Sequence, residues 1–259
     1  VSTPPAPART VDVATPHGPA RAHVLLPGST PGGTAPPGST PDRTTPPGST
    51  PHGTTPPGST PHGTTPPGTA PDGTTDPTAP RGALVLGHGA GGGIDAPDLR
   101  AVTAVALGLG LAVALVEQPY RVAGKRVGPR GPALDEAWTA VVAHLRATGL
   151  DVPLVTGGRS AGARTACRTA LATGAVGVLC LAFPTQPPGR PDAPSRLPEL
   201  DGAGVPVLVV QGTTDPYGTP PETADRRVVP VAGDHALKKD LPAVAAAVRD
   251  WLPAVLPLR

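Results

Sequence analysis

Long apolar runs are missing from this sequence: no uninterrupted span of about 18 apolar residues occurs, so no transmembrane helix is expected. The opening stretch, VSTPPAPART, also lacks the basic start and apolar segment of a secretory signal, and a soluble cytoplasmic protein is the expectation. Cysteine is scarce. Cys167 and Cys180 are too few for a disulfide framework and lie far from metal-ligand spacing, so they read as small buried hydrophobes in a helix and a strand. An excess of one charge is absent too, with 21 Lys+Arg against 19 Asp+Glu and a formal net charge of +2. The cations are scattered rather than gathered into a stripe with interleaved aromatics, which excludes a nucleic-acid surface. Finally, Leu, Ile, Val, Phe and Met are all absent between Leu26 and Leu84, so only the flanks can build a core.

What fills that gap is a ten-residue unit, PGSTPHGTTP and its variants, recurring from Pro27 to Asp76. Proline removes backbone donors, glycine adds chain entropy, and Ser and Thr hydroxyls are satisfied by water. Such a unit has nothing to bury, unlike a solenoid repeat, and residues 27–80 are predicted to be a disordered insertion. Before it, RTVDVAT and ARAHVLL alternate around PHGP as a two-stranded hairpin, and after it GALVLGHGAGGG reads as a buried strand entering a glycine-rich turn. An isolated hairpin is only marginally stable, so the insertion is expected between strands two and three of one discontinuous domain, with its core in 9–26 and 81–259.

Beyond Leu84, apolar runs at 83–87, 111–117, 152–157, 176–183, 205–212 and 226–233 alternate with helical patterns. Those helical patterns fall at 96–108, 133–148, 161–173 and 241–256, with a short helical piece near 220–225. On the second of them Leu134, Trp138, Val141, Val142 and Leu145 share one face. Continuously apolar strands separated by helices predict an α/β fold: an eight-stranded, mostly parallel sheet with helices on both faces.

Two glycine-rich turns compete to explain the chemistry. GHGAGG, Gly87 to Gly92, satisfies G-x-G-x-x-G after a strand, with Glu117 25 residues further on, and leaves an NAD(P)-dependent oxidoreductase as a lesser alternative. His88 inside that motif would crowd a pyrophosphate. The second turn, GGRSAGAR, holds G-x-S-x-G at Gly158 to Gly162 where a strand meets a helix. So sharp a reversal strains the nucleophile's backbone and brings its flanks against neighbouring elements, which leaves room only for Gly and Ala. An alcohol is a weak nucleophile and needs a base, which in turn needs a carboxylate to orient it. Asp215 and His235 each follow one of the last two strands, in the chain order Ser, Asp, His. Asp234 is the rival carboxylate, but adjacent side chains point in different directions. His17, His23, His88 and His144 are less suited by position. Backbone N–H groups of Ala90 and Ala161 then become the candidate oxyanion hole.

These segments, with FPTQPPGRP, VLVVQGTTDPYG and AGDHAL, resemble the α/β-hydrolase superfamily over nearly all of residues 81–259. More narrowly, they resemble a dienelactone-hydrolase-related group that includes testis-expressed protein thirty and the hydrolase-like domain of an NSL-complex subunit. The resemblance implies the fold and an apparent triad of Ser160, Asp215 and His235, and says little about substrate, since some relatives are scaffolds. The connection 184–204 is too short for a large lid, so a minimal cap and an open site are expected. Arg121, Lys125, Arg126 and Arg130 read as solvated loop charge or as a meeting place for an anionic substrate. The expected activity is serine-dependent hydrolysis of a small ester or thioester without metal or organic cofactor. The alternative is a catalytically idle hydrolase fold used for binding.

Overall fold

Every residue of β3 (Ala83–Gly87) is buried, and the two faces alternate in a way that sets the architecture: Ala83 and Val85 enter one apolar cluster, Leu84 and Leu86 another. A strand apolar on both sides needs cover on both sides. The computed structural model describes residues 9–28, 79–190 and 192–256, which lie within one compact unit. The insertion predicted at 27–80 falls outside the described residues, apart from two residues at either end.

The other strands are β1 (Arg9–Val13), β2 (Ala20–Leu25), β4 (Ala112–Glu117), β5 (Leu154–Arg159), β6 (Gly177–Leu181), β7 (Val207–Gly212) and β8 (Arg226–Val231). They form the eight-stranded sheet that the sequence pattern predicts, in the order β1-β2-β4-β3-β5-β6-β7-β8. The hairpin pairs antiparallel within itself and with β4, and every other pairing is parallel. Parallel strands bring their C-terminal ends to one edge, where ligands of open α/β sheets bind. Gly87 stands beside Gly158, Arg159 beside Leu181, and Gly212 beside Val231.

Helices α1 (Pro97–Gly108) and α6 (Leu241–Val255) cover one face with Leu99, Val102, Val248 and Leu252. Helices α3 (Gly131–Ala147) and α4 (Ala161–Thr173) cover the other with Trp138, Val141, Ala166 and Ala170. The predicted apolar face of α3 is the buried one, although Leu134, at its first turn, is only half-buried. Trp138 is fully buried, and burying an indole of about 150–250 Å² stabilises by about 4–6 kcal/mol. Its Nε1–H finds no partner among the described residues, which offsets about 1–3 kcal/mol of that.

Three local expectations differ from the structure. No helix forms at 220–225. There an antiparallel bridge joins Thr223 to Arg226, and the buried Arg226 guanidinium holds the chain by donating to Pro221 O at 2.7 Å and Asp201 Oδ1 at 2.9 Å. Two short helices are additional, α2 (Pro119–Val122) and α5 (Leu197–Asp201). Each has proline in its first turn, where the missing N–H costs nothing and φ is already helical. The segment after β6 thus carries one short helix and remains a minimal cap. Cys167 and Cys180 are buried free thiols with Sγ atoms 3.5 Å apart, and burial, reinforced by the neighbouring thiol, pushes the Cys180 ionisation up. No helix among the described residues is long and apolar enough to cross a membrane.

Candidate active site

Strand β5 ends in the sheet core and α4 starts one residue later, so Ser160 must turn the chain by itself. It does so at φ 52 and ψ −103, a conformation that costs a non-glycine residue about 1–3 kcal/mol. Its N–H donates to Leu181 O at 2.9 Å, which pins the turn to β6. The small flanking residues follow from crowding. A Cβ on Gly158 would sit 2.3 Å from Gly87 O, and one on Gly162 would sit 2.5 Å from the same oxygen. Both glycines let β5 and α4 close onto β3, and the serine side chain is left projecting at the sheet edge.

The loops after β7 and β8 converge on that side chain. His235 Nε2 lies 2.9 Å from Ser160 Oγ, and His235 Nδ1 lies 2.8 Å from Asp215 Oδ2. Asp215 is buried and accepts two further hydrogen bonds, from Gln211 Nε2 at 2.7 Å and from the Tyr217 backbone N–H at 2.8 Å. Three donors thus converge on one carboxyl group and hold its orientation. A carboxylate that accepts from Nδ1–H fixes the imidazole tautomer and leaves the Nε2 lone pair facing the serine hydroxyl. The Tyr217 ring packs on the imidazole, with centroids 4.2 Å apart and planes inclined by 33°. Asp234, the rival carboxylate, is exposed and accepts from the Ala236 N–H at 2.9 Å instead.

The first glycine-rich turn lies beside the serine. Ala90 is exposed at its tip, and Ala161 opens α4, whose first N–H groups have no acceptor within the helix. Two rings brace the loop from behind. His88 is buried, its Nδ1 lies 2.8 Å from Gly89 O, and its Nε2 accepts from the Gln118 N–H at 3.2 Å. This pair of contacts requires a neutral imidazole with the proton on Nδ1. Burial, partly opposed by the Gly89 hydrogen bond, accordingly pulls its pKa below the usual histidine value. Tyr120 Oη donates to Ala90 O at 3.1 Å, and its ring meets that of His88 edge-on. Glu117 does not face this loop, because its carboxylate engages His23 Nε2 at 2.9 Å.

All five residues singled out by sequence lie at this edge, and Ser160, His235 and Asp215 form one hydrogen-bonded line. Sequence reasoning passed over Gln211, Tyr217 and Arg159. Nothing in their spacing marks the first two. Arg159 carried a signal, as a long cation among glycines and alanines. Nearby, a cleft of about 410 Å³ is lined by Gln118, Tyr120, Lys125, Val127 and Leu134, among others. Gln118, Tyr120 and Leu134 also line a narrow crevice that reaches Ala161.

A strained serine between a parallel strand and a helix, on a sheet of this strand order, places the molecule in the α/β-hydrolase class. The chain belongs to the alpha/beta hydrolase domain family, whose model matches residues 80–240. Three solved structures illustrate the likeness. A serine hydrolase without lid from Xanthomonas campestris is 18% identical, with 98% of each chain covered and a TM-score of 0.63. Est1E from Butyrivibrio proteoclasticus, with ferulic acid bound, is 14% identical, with 95% of this chain and 99% of that one covered and a TM-score of 0.64. Dienelactone hydrolase from Anabaena variabilis is 17% identical, with 96% and 97% covered and a TM-score of 0.61. At these identities the likeness is one of fold. No curated protein matches the chain.

Proposed function

We propose that this protein is a serine hydrolase that cleaves a small ester or thioester. The observation that carries the reading is the line from Ser160 Oγ through His235 to the buried Asp215, with links of 2.9 and 2.8 Å. Ser160 attacks the carbonyl carbon while His235 Nε2 takes its proton, and Asp215 stabilises the imidazolium through Nδ1–H. The negative oxygen of the tetrahedral intermediate accepts from the N–H groups of Ala90 and Ala161, each contributing about 2.7–4 kcal/mol to the transition state. His235 then protonates the departing alcohol or thiol, and water repeats the sequence on the acyl-enzyme.

The minimal cap leaves the serine approachable, and the cleft past Tyr120 and Leu134 is where we place the larger part of the substrate. The narrower kinship, to the group that includes testis-expressed protein thirty and the NSL-complex subunit domain, rests on the motifs from LGHGAGGG to AGDHAL. A fluorophosphonate probe tests the reading. It should label the wild-type chain, and neither Ser160→Ala nor His235→Ala should be labelled. A folded wild-type protein that takes no label would refute the enzyme reading and point to a binding module. A series of p-nitrophenyl esters of graded acyl length then measures the depth of the pocket.

A further inference from the structure

Arg159 is the one long side chain in the G-x-S-x-G of residues 158–162, where only glycine and alanine flank the serine otherwise, and it does not point to solvent. Its side chain is 17% exposed, and Nε lies 3.0 Å from Oδ2 of Asp98, a fully buried carboxyl in the first turn of α1. The contact is an ion pair without a well-aligned hydrogen bond. Nη2 donates to the backbone carbonyl of His235 at 2.9 Å. Nη1 lies under the glycine-rich loop, 3.4 Å from where a Cβ on Gly89 would stand. One planar guanidinium therefore touches the loop after β3, the loop after β8 and α1, while its own backbone leads into Ser160.

We propose that Arg159, held by Asp98, is a positioning residue that sets the His235 loop in register with Ser160; this rests on the serine hydrolase reading above. Among the described residues, the Nη2 contact is the one hydrogen bond from the main chain of residues 234–237 to any segment outside that stretch. The imidazole hangs from that main chain, and its tilt toward Ser160 follows the carbonyl's position. Asp98 fixes the other end. Burial drives its carboxyl toward the neutral form, the Arg159 charge draws it back, and the paired state holds the guanidinium against α1. Arginine suits the place because its donors form a rigid fork, whereas lysine offers a single charged point that can serve Asp98 or His235 O but not both.

The test compares wild type, Arg159→Lys and the charge-neutral pair Asp98→Asn with Arg159→Gln, which leaves no lone buried charge. Each is measured by thermal unfolding and by kcat and KM on p-nitrophenyl acetate. The double variant should stay folded with KM within about twofold and kcat down about 100-fold, the scale of a misplacement of about 1 Å. Arg159→Lys should recover part of that loss. Kinetics are read beside the hydrogen-bonded Nδ1 proton of His235 in NMR spectra. That resonance should be sharp in the wild type and broadened or lost in the double variant. A double variant with kcat within threefold of wild type, or with an unchanged His235 resonance, overturns the proposal. If the double variant does not fold, Arg159→Lys decides: full kcat and an unchanged resonance overturn it. An inactive wild type whose His235 resonance still responds to Arg159 would sink the hydrolase reading and leave the positioning role standing.

Discussion

Replacing Asp215 by Asn changes one atom, and the structure says which way the amide will sit. Oδ2 accepts from both His235 Nδ1 and Gln211 Nε2, whereas Oδ1 accepts from the Tyr217 N–H. Asparagine keeps two hydrogen bonds if its oxygen stays at the Oδ2 place, and only one if it flips. The unflipped amide therefore wins, and with it the His235 tautomer that leaves Nε2 a base. The loss is then electrostatic. With charge centres about 4 Å apart and an effective dielectric near 20, a carboxylate stabilises the imidazolium by about 4 kcal/mol. Removing it should lower kcat about 1,000-fold. The amide left facing the Tyr217 N–H should cost about 1–3 kcal/mol of stability. Stopped-flow and steady-state hydrolysis of p-nitrophenyl acetate, with urea unfolding of the same samples, measure both. A folded Asp215→Asn protein whose kcat stays within tenfold of wild type would show that this carboxylate does not serve the imidazole.

Gly162→Ala should destabilise by about 1–3 kcal/mol or more and lower kcat, because its Cβ would meet Gly87 O at 2.5 Å and push the strand that carries the glycine-rich loop. Gly91→Ala, with nothing within 4 Å of its added Cβ, should stay within about 0.5 kcal/mol of wild type in the same urea titration. His88 makes stability depend on pH. Its folded-state pKa is lowered by burial, so its contribution is fully present above the unfolded value of about 6.5 and is lost as pH falls toward the folded value. The slope is at most about 1.4 kcal/mol per pH unit, and it should flatten in His88→Gln when unfolding is followed from pH 7.5 to 5; equal slopes would refute it.

Much of the scaffold was legible because it depends on periodicity and steric room, which are local. Apolar runs spaced by helical patterns dictate a covered parallel sheet, and the glycines at 158 and 162 announce a turn pressed against its neighbours. The short helices α2 and α5 and the bridged turn at 223–226 were not legible. Over four to six residues, proline placement and one buried arginine outweigh propensity.

Residue order and type were enough to nominate Ser160, Asp215 and His235, since an alcohol nucleophile needs a base and a base needs a carboxylate, and this chain offers them after successive strands. Sequence alone could not show that Gln211 and the Tyr217 N–H orient that carboxylate, or that His88 carries its proton on Nδ1. Nor could it show that Arg159 reaches from α1 to the His235 carbonyl. Those are contacts across 30 residues or more, or contacts made at loops whose path the sheet sets. Hydrogen bonds and ion pairs act over about 3 Å, and only the folded backbone brings such atoms that close.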